Sequence, residues 1–235
     1  MSASSGGPDV AVGAFDARLA LVAITPAVAP ETASEAGDLR RRVVDAAAGG
    51  ATAIMLRHPG ASTNELIAAG KGFAALAEEQ GFFFILNGAP EIALEIGAGG
   101  VHLGVRTVDP AAVRRIARRA QRELLIGYSA HYPLEDQSPQ IEAADYVTYS
   151  PIFATPSKAG APPLGVEELW RAVRTIGKPV IALGGMGPDE AYQAGCGGCR
   201  HVAAISAVLG RHDARAAARA IRTGLSAGLA AGREH

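Results

Sequence analysis

The stretch VIALGGMGPDEAYQAGCGGCRHVAAIS, residues 180–206, holds one complete turn of a repeating pattern. A short apolar run, Val180–Leu183, gives way to Gly184-Gly185. Gly187-Pro188 then opens an amphipathic stretch, and a second apolar run follows at His201–Ile205. Apolar runs this short are of strand length. Proline fits the first helical position, because its missing N–H would have no partner there. Strand, helix and strand in succession are the unit of a parallel sheet covered by helices.

The same alternation continues back toward the N-terminus. Apolar runs recur at Leu19–Ile24, Ala53–Leu56, Phe82–Leu86, Gly100–Leu103, Leu124–Tyr128 and Tyr146–Ser150, which brings the strand candidates to eight. Ser62 with Glu65 forms a capping box, where each side chain satisfies a backbone N–H at a helix start. Asp109-Pro110 repeats the cap-then-proline signal. From Asp213 to Leu229 arginines share one helical face and alanines or leucines the other, so this charge run reads as a solvated face. Eight such units without a composition break predict a closed (β/α)8 TIM barrel over residues 19–229 rather than an open doubly wound sheet. Residues 1–18, rich in Ser, Gly and Ala, are expected to be a disordered N-terminal segment, and residues 230–235 a frayed C-terminus.

Composition narrows the function. In 235 residues, 49% are hydrophobic and 19% charged, which supplies a core and excludes a solvated, disordered chain. A net charge of −1 leaves no summed positive field, so neither nucleic acid nor an anionic membrane is an expected partner. Any phosphate must be held locally. The absence of a long apolar run and of a basic-then-apolar N-terminus predicts a cytoplasmic protein. Cys196 and Cys199, the two cysteines, have only His201 beside them as a third metal ligand, so they read as reduced thiols and no metal site is expected.

In a barrel, chemistry sits at the carboxyl ends of the strands. Gly184, Gly185 and Ser206, after the last two strand candidates, suit a phosphate, since glycine admits close backbone approach and helix-start N–H groups point at an anion. Arg57 suits a bidentate anion clamp, and Asn87 a polar contact. Thr155, Ser157 and Lys158 lie together in a loop that reads as a flap. His131, beside Ser129 beyond a strand end, is the candidate for proton chemistry, because only imidazole titrates near neutrality without a large shift. His102, inside a strand run, reads as a satisfied histidine of the barrel wall or a supporting partner.

Six segments together carry a resemblance: Gly100-Val-His-Leu-Gly104, Gly127-Tyr-Ser-Ala-His131, Ala144-Asp-Tyr-Val147, Pro151-Ile-Phe leading to Thr155-Pro-Ser-Lys158, Ala182-Leu-Gly-Gly-Met186 and Ala204-Ile-Ser206. In this order, over about Leu19 to Leu209, the chain resembles the thiamine-phosphate synthase/TenI superfamily of (β/α)8 barrels in thiamin biosynthesis. The synthase branch joins a pyrimidine pyrophosphate to a thiazole phosphate, with Mg²⁺ held by aspartates; the matching positions here are Gly88 and Thr107. The synthase's Gln-x-Arg-x-Lys on strand two reads Met55-Leu-Arg57-His-Pro59, without the glutamine and the lysine.

Asn87-Gly88 with Tyr128-Ser-Ala-His131 is similar instead to the TenI branch, which aromatises a carboxythiazole phosphate without a metal. That likeness implies a thiazole tautomerase with no cofactor and no metal, and a small phosphorylated thiazole as ligand. His131 would shuttle the proton, with Gly184, Gly185 and Ser206 on the phosphate. Arg57, Asn87 and Ser129 would contact the substrate, and Thr155, Ser157 and Lys158 would be accessory contacts. The resemblance also implies a homodimer. The alternatives are a divergent Mg-dependent synthase and a non-catalytic regulator that binds a phosphate ligand.

Overall fold

The computed structural model describes residues 15, 17–26, 33–134, 137–158 and 160–233. Most of the expected N-terminal segment, residues 1–14 and 16, lies outside the described residues, as do 234–235 and residue 159 of the loop after strand six. Eight parallel strands close into a barrel in chain order. They are β1 (Leu21–Ile24), β2 (Ala53–Arg57), β3 (Phe83–Asn87), β4 (Gly100–Leu103), β5 (Leu125–Ala130), β6 (Tyr146–Tyr149), β7 (Val180–Leu183) and β8 (His201–Ala204). Each of the eight expected runs is a strand, with ends that differ by at most two residues, the usual uncertainty of an element boundary.

Eight α-helices with fully described spans alternate with the strands: α1 (Ala33–Ala48), α2 (Thr63–Gln80), α3 (Pro90–Glu95), α4 (Pro110–Arg119), α5 (Ser138–Ala143), α6 (Val166–Thr175), α7 (Pro188–Cys196) and α8 (Ala214–Ala231). The predicted caps form. Ser62 Oγ accepts the Glu65 N–H while Glu65 Oε2 accepts the Ser62 N–H at 2.8 Å. Asp109 Oδ1 accepts the Ala111 N–H, and Asp213, read from the sequence only as the start of the last helix, also caps it by accepting the Ala216 N–H. Gly187 has no side chain to cap with, and Glu190 does the work in reverse by accepting the Gly187 N–H at 3.1 Å.

Side chains of a strand alternate between faces, and two apolar clusters show where each face goes. Leu21, Ile54, Leu86, Val101 and Ile126 pack outward under the helices. Val22, Met55, Ile85, Tyr146, Ile181 and Ala203 pack inside the barrel. Phe15 closes this interior from below, its ring 5.4 Å from that of His201 and 6.2 Å from that of Tyr146. The packed chain therefore begins ahead of residue 19. On the outside, α8 crosses α7 through Gly224, Gly228 and Gly232, whose missing side chains let it meet the backbone of Pro188, Tyr192 and Cys196. No described helix is long and apolar enough to cross a membrane.

Candidate active site

Strand parity selects the residues that look into the barrel. Because Met55 and Ile85 point inward, Arg57 and Asn87, two places further on, do too, and the β2–β3 register sets them side by side. The same two-residue step puts His102, Ser129, Thr148 and Ser150 on the interior. A cavity of about 680 Å³ opens at the carboxyl ends of the strands. Arg57, Asn87, Ser129, His131, Thr155, Ser157, Lys158, Gly184, Gly185 and Ser206 all line it. The structure thus gathers every residue singled out in the sequence around one space.

The glycine pair is fixed by conformation and by crowding. Gly184 has φ of +102° and Gly185 φ of +64°, both in the left-handed region. A Cβ on Gly184 would lie 2.8 Å from Pro151 Cα, and one on Gly185 only 2.5 Å from the Ala154 carbonyl oxygen. The segment after β6 is laid against the turn by two bonds: the Ile152 N–H donates to the Leu183 carbonyl at 3.0 Å, and the Phe153 N–H to the Gly184 carbonyl at 3.1 Å. Beside it, Ser206 and Ala207 begin a tight turn that closes with the Leu209 N–H on the Ile205 carbonyl at 3.0 Å. The amides that open such a turn have no acceptor within it.

Lys158 does not wave in solvent. It ends a short 3-10 turn, Pro156–Lys158, and its Nζ donates to Ser150 Oγ at 2.9 Å and to the Ser150 carbonyl at 3.3 Å. Burial, and then the nearby Lys158 charge, push His131 below the ordinary histidine value, and the neighbouring Ser150 backbone works the other way. Burial lowers Lys158 as well. The His131 segment is held by Gln137, whose Oε1 accepts the His131 N–H at 3.0 Å and whose Nε2 donates to the His131 carbonyl at 2.6 Å. Across the barrel, the Arg57 N–H donates to Thr25 Oγ1 at 2.8 Å and Thr25 returns a bond to the Arg57 carbonyl. Among the described residues no carboxylate pairs with the Arg57 guanidinium.

Other polar residues of this cavity carried no substrate role in the sequence: Thr148 lies mid-strand, His102 read as barrel wall or a supporting partner, and Arg106 lies in the loop after β4. Parallel register would have found His102 and Thr148, since it pairs them with Asn87 and Ser129, both already chosen. No local signal marks Arg106. Cys196 and Cys199 form no disulfide with each other. Cys199 is buried with its Sγ 3.2 Å from the His201 carbonyl, and burial raises it to about 11.

The profile of the family described as thiamine monophosphate synthase matches residues 22–208. The chain belongs to that family. A thiamine-phosphate synthase of Moorella thermoacetica is 40% identical over 179 residues, 75% of this chain and 83% of the relative. Another, of Methanoregula boonei, is 39% identical over 178 residues, 75% of this chain and 81% of that one. Among solved structures, a thiamine phosphate pyrophosphorylase from Pyrococcus furiosus superposes with a TM-score of 0.77 at 31% identity, over 92% of this chain and 99% of that one. A 3-hexulose-6-phosphate synthase, at 16% identity and a TM-score of 0.64, shares the fold alone.

Membership of the thiamine monophosphate synthase family implies a magnesium ion, and the donor set can be tested for one. Gly88 and Thr107 stand at the positions where the resemblance places aspartates, and Thr107 spends its hydroxyl on the Gly104 carbonyl at 2.7 Å. Among the described residues the cavity lining contains no Asp or Glu, and no three His, Cys, Asp or Glu side chains cluster as a metal site. A hard divalent ion takes oxygen ligands, carboxylates foremost. These residues do not fit it.

Proposed function

We propose that this member of a thiamin-biosynthetic enzyme family is a thiazole tautomerase, moving a proton within a carboxythiazole phosphate. One observation carries the reading. The cavity offers imidazole, ammonium, guanidinium, hydroxyl and main-chain N–H groups with no carboxylate among the described lining residues, which suits an anionic ligand and a proton transfer without a bound cation.

In this reading the phosphate meets the backbone at Gly184, Gly185 and Ser206, with Lys158, Ser157 and Thr155 as further contacts. Arg57, Asn87 and Ser129 orient the carboxylate and ring. His131, whose burial favours the neutral imidazole, accepts the proton from a ring carbon and returns it at another atom of the same molecule, so no redox partner or leaving group is needed. A positioned acid/base of this kind contributes about 10²–10⁴ in rate, enough where aromatisation already favours product. The homodimer and the cytoplasmic setting belong to this proposal.

The second reading is coupling of a pyrimidine pyrophosphate to a thiazole phosphate. Its support is that the relatives at 39% and 40% identity are named thiamine-phosphate synthase. Purified protein given each substrate set, with EDTA or with magnesium, separates the two. Tautomerisation is expected unchanged in EDTA and lowered about 10²–10⁴-fold in His131→Asn. Magnesium-dependent coupling without aromatisation overturns the proposal in favour of the second reading.

A further inference from the structure

In the cavity floor lies a histidine that the proton transfer above does not use. His102, on β4, is 3% exposed. Its ring stacks on Tyr146, centroids 5.7 Å apart and planes 21° from parallel. Its Nε2 is 2.9 Å from Ser129 Oγ and 3.3 Å from Thr148 Oγ1. These residues come from three neighbouring strands, and the register pairs His102 with Gly127 and Ser129 with Thr148. Gly127 supplies the room, since a Cβ there would overlap both the Tyr146 ring and His102 Nδ1.

We infer that His102 is a positioning residue: its Nε2–H donates to Ser129 and Thr148, turning the protons of both hydroxyls toward the ligand.

The argument is one of donors and acceptors. Burial brings the imidazole down to about 4, so it is neutral at physiological pH and carries a single N–H. At Nδ1 that hydrogen would be a buried donor without a partner, since among the described residues Nδ1 makes no hydrogen bond. At Nε2 it meets two hydroxyl oxygens. Leaving a buried donor unmatched costs more than leaving a ring nitrogen's lone pair unmatched, so the Nε2–H tautomer is the one the fold selects. Hydroxyls that accept from below have their own protons free, and a proton turned upward is what an anion requires. A hydroxyl spending its proton on the imidazole could offer an anion only a lone pair. The functional part of this inference rests on the cavity being an anion site; the tautomer does not.

Two measurements test it. Nitrogen-15 NMR of the full chain should show His102 with a protonated Nε2 and a bare Nδ1, unchanged from pH 5 to 8. The opposite tautomer, or a titration near the ordinary histidine value, overturns the proposal whatever the reaction proves to be. Calorimetry with inorganic phosphate and with a thiazole phosphate then reads the consequence. His102→Leu, which removes the donor, should weaken both ligands about tenfold, and His102→Gln, which restores an N–H near the Nε2 position, should recover most of the loss. In a Ser129→Ala, Thr148→Val background His102→Leu should have no further effect. Circular dichroism melting keeps the comparison to variants that fold. Folded Leu and Gln variants that bind alike refute the positioning role, whereas absent turnover with the predicted binding pattern counts against the tautomerase alone.

Discussion

Replacing Gly185 by alanine separates two reasons for a glycine at the phosphate turn. The first reason is backbone conformation. At φ of +64° an L-residue is strained, at about 1–2 kcal/mol. The second is space. The new methyl would lie 2.5 Å from the Ala154 carbonyl oxygen and 2.8 Å from Phe153 Cβ. Both belong to the segment pinned to this turn by the Phe153 to Gly184 bond, so little can yield, and overpacking of this kind adds about 1–3 kcal/mol. Gly81, the left-handed residue after α2 with φ of +75°, has nothing within 4 Å of its missing Cβ, so Gly81→Ala carries the conformational part alone. With a urea slope of about 3 kcal/mol/M, the midpoint should fall about 1 M in Gly185→Ala and about 0.3 M in Gly81→Ala. Phosphate binding by calorimetry should weaken in the first and not in the second. Equal midpoints for the two variants would refute the crowding argument, and full phosphate affinity in Gly185→Ala would remove this turn from the anion site.

Three other perturbations have outcomes fixed by the structure. His131 is held below its ordinary value by burial and then by Lys158, so the neutral base persists to lower pH; the acid limb of kcat/KM should lie below about 6.5, and that of kcat should lie higher, because a bound anion favours the imidazolium. An acid limb above 7 in kcat/KM would contradict this. Asp145 Oδ2 accepts the Ile126 N–H at 2.8 Å and Oδ1 accepts from Arg114 at 2.7 Å; Asp145→Ala should lose about 1–3 kcal/mol in urea unfolding through the unpaired amide of β5, and a loss below 0.5 would discount that bond. Cys199 is buried and raised to about 11, so at pH 8 a thiol reagent should label Cys196 alone in folded protein and both thiols in urea; equal rates in folded protein would show the β7–β8 seam to be open.

What the sequence determined by itself is what short-range chemistry dictates. Ser62, Asp109 and Asp213 satisfy N–H groups two or three residues away, and proline at a helix start needs no distant partner, so helix starts could be read without the fold. Strand-length apolar runs repeating eight times imply a closed sheet, and closure places catalysis at one rim, which is why all ten chosen residues meet in one cavity. What lies between strands was not written locally. His102 meets Ser129 and Thr148 only because parallel register aligns residues 27 and 46 positions away. Lys158 looks like part of an exposed loop until the turn folds it back on Ser150. Gly185 reads as a simple turn until the Ala154 carbonyl closes over it. Hydrogen bonds and collisions act over a few ångströms of space whatever the separation along the chain, so the packed barrel alone decided which polar groups share a proton and which positions tolerate no side chain.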